Sequence, residues 1–116
     1  AENEQELHLD PKQIKQALLN IFLNAFEAMP QGETLRITTF FEPTKLVLKI
    51  TDTGCGISKD DLPHLFDPFF TKKEFGTGLG LSITHGIITE HRGRIFAESE
   101  LGRGTTFRIE LPIKSD

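Results

Sequence analysis

The chain has 116 residues, 37% hydrophobic and 26% charged, a balance that fits one domain with its own core rather than a disordered acidic tail. Its net charge of −4, from 13 Lys and Arg against 17 Asp and Glu, argues against non-specific nucleic-acid binding, which needs excess positive charge. No apolar run approaches a membrane span, no signal-peptide pattern opens the chain, and the single Cys55 excludes an internal disulfide, so a reducing, cytoplasmic setting without direct membrane contact is expected.

The first nine residues, with Leu7 and Leu9 in alternation, read as a short strand or a frayed lead-in. Asp10 and Pro11 open a helix, Asp as N-cap and Pro at the first helical position. Ile14, Leu18, Ile21, Phe22, Ala25 and Met29 recur at helical spacing, and Pro30 and Gly32 end the element. Residues 34–41 (TLRITTFF) and 45–51 (KLVLKIT) read as a hairpin broken at Glu42, Pro43 and Thr44. A glycine-rich turn, 52–56, follows, and Ser58 to Asp61 resembles a capping box that starts a short helix. Residues 67–77 read as a loop, 78–91 as a second long helix, and 94–99 and 105–111 as strands joined at Gly102, Arg103 and Gly104. This order suits an α/β (α+β) two-layer sandwich: a mixed, mostly antiparallel sheet with helices on one face.

Three segments carry polar groups where chemistry is possible. On the first helix Gln13, Gln16, Asn20, Asn24 and Glu27 form one stripe, nearly opposite the apolar face. A solvated face is the ordinary reading of such a stripe. Two mid-helix Asn, poor helix formers, beside Leu19 and Leu23 suggest instead a polar pocket whose amides could ligate a hard cation alongside phosphates. Asp52 follows Leu46, Leu48 and Ile50 in period-two parity and so points toward the helix-covered side. It is either a turn Asp bonding its own backbone or a buried acceptor for an exocyclic amine. Thr105 shares the inward parity of Phe107, Ile109 and Leu111. Gly76 to Leu81 (GTGLGL) precedes the second long helix, where glycines permit close backbone approach and the helix terminus favours phosphate. It matches neither the dinucleotide fingerprint nor a P-loop. His8, His64, His85 and His91 show no metal-ligand spacing.

Taken together, these segments resemble the ATP-binding catalytic domain of sensor histidine kinases in the GHKL superfamily, and most of all its nitrogen-regulation-type subgroup. The boxes of that family occur in order: residues 16–28 (QALLNIFLNAFEA), 52–57 (DTGCGI), 65–73 (LFDPFFTKK), 76–81 (GTGLGL) and 102–107 (GRGTTF). The resemblance implies a Bergerat-type fold over residues 1–116 as a single domain, with 1–6 and 113–116 as flexible ends. It implies that Asn24 coordinates Mg²⁺ and that Asn20 lies beside the triphosphate of ATP, these two being the catalytic pair. Asp52 would take the adenine amine, with Thr105 nearby through water, and Gly54 and Gly56 would line the adenine pocket. Residues 67–77 would form the ATP lid, and Gly76, Thr77, Gly78, Leu79 and Gly80 would meet the phosphates. Many relatives carry Lys where Glu27 stands, so Lys72 or Lys73 of the lid would supply that phosphate contact.

The phosphoacceptor His of this family stands in an H-E/D-x-x-x-P context, which none of the chain's histidines shares. The resemblance therefore implies a partner: a dimerisation and phosphoacceptor domain of the parent protein, and beyond it a response regulator. The isolated domain is expected to be a monomer. Within the superfamily, the hydrolases place a general-base Glu four residues before the Mg-binding Asn, and this chain has Asn20 there. A serine kinase of the anti-sigma type and a module that has lost ATP are the remaining alternatives.

Overall fold

The computed structural model describes residues 6–29, 33–68 and 80–113. Helix α1 runs Pro11–Ala28. It starts where the sequence predicts because Asp10 Oδ1 accepts from Lys12 N–H at 3.0 Å and Gln13 N–H at 3.3 Å, satisfying two amides that have no partner inside the helix. It stops at Met29, whose backbone leaves the helical region. Ala17, Ile21 and Ala25 form the buried stripe. Helix α2, Gly80–Glu90, buries Thr84, Ile87 and Ile88. Asp10 N–H donates to His91 Nε2 at one end of the helix pair, and Asn20 bonds Gly80 at the other, so α1 and α2 lie antiparallel.

Four strands, β1 (Leu35–Glu42), β2 (Lys45–Asp52), β3 (Arg94–Glu100) and β4 (Gly104–Pro112), make one sheet in the order β1-β2-β4-β3. All neighbours pair antiparallel, so the mixed component expected from the sequence is absent among the described residues. Both helices pack on one face, over β2, β4 and β3, which gives the expected two-layer sandwich. Edge strand β1 lies outside their cover, and its helix-side Ile37 and Phe41 stay exposed. Between the layers Ile21, Ile50, Ile88, Phe107 and Ile109 are fully buried. Removing such a side chain back to Ala typically costs about 2–5 kcal/mol.

The opposite face carries a charged lattice. Glu110 accepts from Lys45 Nζ at 3.0 Å and from Arg108 Nε at 2.8 Å, and Arg108 also reaches Glu42 at 2.9 Å. These hydrogen bonds, the one from Arg108 first, hold the Glu110 carboxyl below the usual glutamate range. Val47 stands in register between Phe40 and Glu110 and is 0% exposed, although neither α1 nor α2 covers this side.

Several boundaries differ from expectation. Of the two readings of the first residues, the strand is absent over 6–10, a lead-in without regular structure from which Leu7 packs against the core. The short helix expected after Ser58 is a turn followed by one 3₁₀ turn, Leu62–His64. Pro63 removes a backbone donor and disfavours α geometry at the residue before it, so an α-helix cannot propagate there. Ile113 was expected in a flexible end but is tied down, its N–H donating to Thr44 O at 3.0 Å. The remaining terminal residues, 1–5 and 114–116, and the expected helix stop at Pro30 and Gly32, lie outside the described residues.

Candidate functional site

Asp52 ends β2 pointing toward the helices, as its parity requires, and is 2% exposed. Its Oδ1 accepts from Gly54 N–H at 2.8 Å and from Thr105 N–H at 3.2 Å. The turn reading of Asp52 holds, since it bonds its own turn at Gly54, and the same buried oxygen also bridges β2 to β4. Both bonds use Oδ1; among the described residues none goes to Oδ2. A carboxylate has room for about four hydrogen bonds, so one oxygen of a buried group is left to accept from something else.

Thr105 faces Asp52 in register and is 4% exposed. Behind it stands Ser99 of β3, its cross-strand partner, with Oγ 2.8 Å from Thr105 Oγ1. Ser99 Oγ also donates to Gly104 O at 2.9 Å and accepts from Ile57 N–H at 2.7 Å. This residue was not among the sequence candidates. The available signal was its inward parity with Ile95 and Ala97, which makes it the polar member of an inward-facing row.

The glycine turn is held from two sides. Cys55 N–H donates to Ala28 O at the end of α1, and Gly102 N–H donates to Cys55 O. Gly54 is required by this docking, because a Cβ there would stand 2.4 Å from Ala28 O. Gly104 has φ +101°, and a Cβ would meet Asp52 O at 2.0 Å, so the hairpin can approach Asp52 only with glycine there. Gly56 lies half-buried against Glu100.

The polar stripe of α1 divides into two parts. Gln16 and Glu27 are exposed, whereas Gln13, Asn20 and Asn24 are half-buried. Asn20 Nδ2 donates to Gly80 O at 3.0 Å and to Thr84 Oγ1 at 3.3 Å, and its Oδ1 accepts from Gln16. Its amide therefore clasps the first turn of α2 to α1, with Thr84 completely buried beneath it. Asn24 sits one helical turn further along α1, between this clasp and the end of the helix on which the glycine turn docks. Asp52, Gly54, Gly56 and Thr105 gather at the sheet end, and Asn20 and Gly80 meet at the start of α2, with Asn24 one turn further along α1. Lys72, Lys73, Gly76, Thr77, Gly78 and Leu79, with most of the lid, lie outside the described residues. Among the described residues no group of three or more His, Cys, Asp or Glu could hold a metal ion. No helix of the described residues is long and apolar enough to cross a membrane.

Comparison with known proteins matches residues 9–115 to the family described as histidine kinase-, DNA gyrase B-, and HSP90-like ATPase. The chain is 41% identical over 111 residues to sporulation kinase E of Bacillus subtilis (strain 168), covering 95% of this chain and 15% of that protein. It is 40% identical over 108 residues to the sensor histidine kinase ZraS of Escherichia coli (strain K12), covering 93% of this chain and 23% of that protein. The chain thus spans less than a quarter of either curated relative. Among solved structures, the catalytic domain of histidine kinase ThkA superposes with a TM-score of 0.81 at 38% identity, covering 91% of this chain and 71% of that one. The mycobacterial sensor histidine kinase MprB superposes with a TM-score of 0.84 at 27% identity, covering 95% and 78%.

Proposed function

From the chain's membership of the histidine kinase-, DNA gyrase B- and HSP90-like ATPase family, as the ATPase domain of the sensor histidine kinases, we propose that it binds Mg-ATP and donates the γ-phosphoryl group to a histidine on a separate dimerisation domain, in two-component signal transduction. The observation that carries this reading is Asp52. A buried carboxylate with one oxygen fixed by two backbone amides, and the other bonded to none of the described residues, is suited to accept from an exocyclic amine such as that of adenine.

The residues then divide the work. Asp52 and Thr105 receive the base, and Gly54 and Gly56 let the backbone close around it. Asn20 sets α2 against α1, so that the start of α2 faces the phosphates beside Asn24, where a helix terminus favours negative charge. Asn24 offers a carboxamide to Mg²⁺, a hard cation that keeps several ligands from water and phosphate, which suits a site with a single protein donor. Held there, Mg²⁺ would supply neutralisation of the phosphate charge. Lys72 or Lys73, with Gly76 to Gly80, close on the phosphates from the lid. Phosphoryl transfer asks for positioning and charge neutralisation more than for covalent chemistry, and this inventory supplies them.

The hydrolase reading is disfavoured by Asn20, whose amide cannot take a proton and is already bonded to α2. Positioned general-base help is typically worth about 10²–10⁴ in rate, so the chain alone turns over ATP slowly. The nitrogen-regulation-type subgroup, a cytoplasmic location, a monomeric isolated domain and a response regulator downstream complete the proposal.

The test is transfer of label from [γ-³²P]ATP. The chain alone should acquire no label, and adding the dimerisation helices of the parent protein should give acid-labile phosphohistidine on those helices. Brisk ATP turnover by the chain alone, abolished in Glu27→Gln, would establish the hydrolase instead.

A further inference from the structure

A serine hydroxyl has one proton and two lone pairs, and at Ser99 each can be assigned. Ile57 N–H donates to Ser99 Oγ, filling one lone pair. Gly104 O, which can only accept, lies 2.9 Å away and takes the Ser99 proton. The third contact, 2.8 Å to Thr105 Oγ1, then has one direction left: Thr105 donates into the second lone pair of Ser99. With its proton committed, Thr105 offers the site lone pairs only. Asp52 Oδ2, across the register, is also an acceptor.

We infer that Ser99 is a positioning residue that, through Thr105, makes this end of the site acceptor-only and so selects a 6-amino over a 6-oxo purine. The inference rests on the nucleotide-binding reading above. An exocyclic amine has two protons to give to such a site, directly or through a water. A 6-oxo group turns a lone pair toward lone pairs. Without the Ser99 hydroxyl, Thr105 Oγ1 is free to turn its proton into the site, and a 6-oxo purine finds a donor.

The experiment is calorimetric titration of the full chain, in Mg²⁺, with ADP and with inosine diphosphate, its 6-oxo counterpart. Wild type should prefer ADP. Ser99→Ala should lower the ADP-to-IDP affinity ratio about five- to tenfold, the effect of one net hydrogen bond. Ser99→Thr, which keeps a hydroxyl, should retain the wild-type ratio. On a Thr105→Val background Ser99→Ala should change the ratio no further, since its route has been removed. A merely structural role would weaken both nucleotides alike and leave the ratio fixed. If Ser99→Ala fails to fold, Ser99→Cys, a poor acceptor of similar size, carries the same comparison. An unchanged ratio in the Ser99 variant, with wild type preferring ADP, overturns the inference and leaves the nucleotide reading standing. Wild type binding neither nucleotide overturns the reading, and the inference with it.

Discussion

Asp52 and Thr105 stand 53 positions apart in the chain, yet the Thr105 N–H donates to Asp52 Oδ1 at 3.2 Å. The bond ties the end of β2 to the beginning of β4 where the two candidate base-reading side chains face inward together. It also leaves Oδ2 as the carboxylate oxygen with no bond among the described residues. The approach depends on Gly104, whose missing side chain leaves room for Asp52 O.

Gly104→Ala should therefore be among the more damaging single-methyl changes in the chain. The new Cβ would overlap backbone, and φ +101° strains any L residue. Such strain alone costs about 1–3 kcal/mol, and the overlap adds to it. Urea unfolding should show the unfolding free energy falling by that much or more, read as a lower midpoint at unchanged m. Gly102→Ala also sits at positive φ but meets no atom within 4 Å, and should cost less. Equal losses at the two positions would contradict the account.

The charged lattice on the open sheet face predicts an acid-sensitive contribution. Glu110 titrates below the usual value of about 4.3 because Arg108 and Lys45 favour its charged form. A lowered folded-state value means that the contribution is complete above the unfolded value and is lost as pH falls through the folded one. Stability should drop on going below about pH 4, and Glu110→Gln should lower stability at pH 7 while flattening that decline. Parallel urea titrations of both proteins from pH 7 to pH 3 measure this; identical slopes would refute it.

Asn20→Ala should loosen the start of α2 without unfolding the sheet. It removes the bonds to Gly80 O and Thr84 Oγ1, about 1 kcal/mol for a typical net hydrogen bond and more where a buried partner is orphaned. Hydrogen exchange should speed up across residues 80–84 and stay unchanged in β2. Uniform acceleration everywhere would mean that Asn20 acts only through global stability.

Much of this architecture was legible in the sequence, for local reasons. Asp10 and Pro11 mark the start of α1 because capping is settled within three residues. The inward direction of Asp52 and Thr105 follows from the two-residue period of a strand, and both are buried. What escaped depends on register or on long-range partners. Ser99 gains meaning only once β3 is aligned with β4 so that it faces Thr105. The bond from Asp10 N–H to His91 Nε2 needs the two helices antiparallel, 81 positions apart. Val47 has the parity of an exposed residue yet is fully buried, in register between Phe40 and Glu110 on neighbouring strands. After Ser58 the reason is local: the capping bond from Asp61 N–H to Ser58 Oγ forms, but Pro63 keeps the following residues to a single 3₁₀ turn.

The central claim is that Asp52 reads the base of a bound adenine nucleotide, and calorimetry of Asp52→Asn against wild type with Mg-ADP tests it most directly. Asn keeps the shape and one acceptor oxygen for Gly54 and Thr105 but places an NH₂ where Oδ2 stood, so the fold should persist by circular dichroism. A charge-assisted hydrogen bond is worth about 1.5–3 kcal/mol, so affinity should fall at least about tenfold. A folded Asp52→Asn protein that binds Mg-ADP as tightly as wild type would contradict the account.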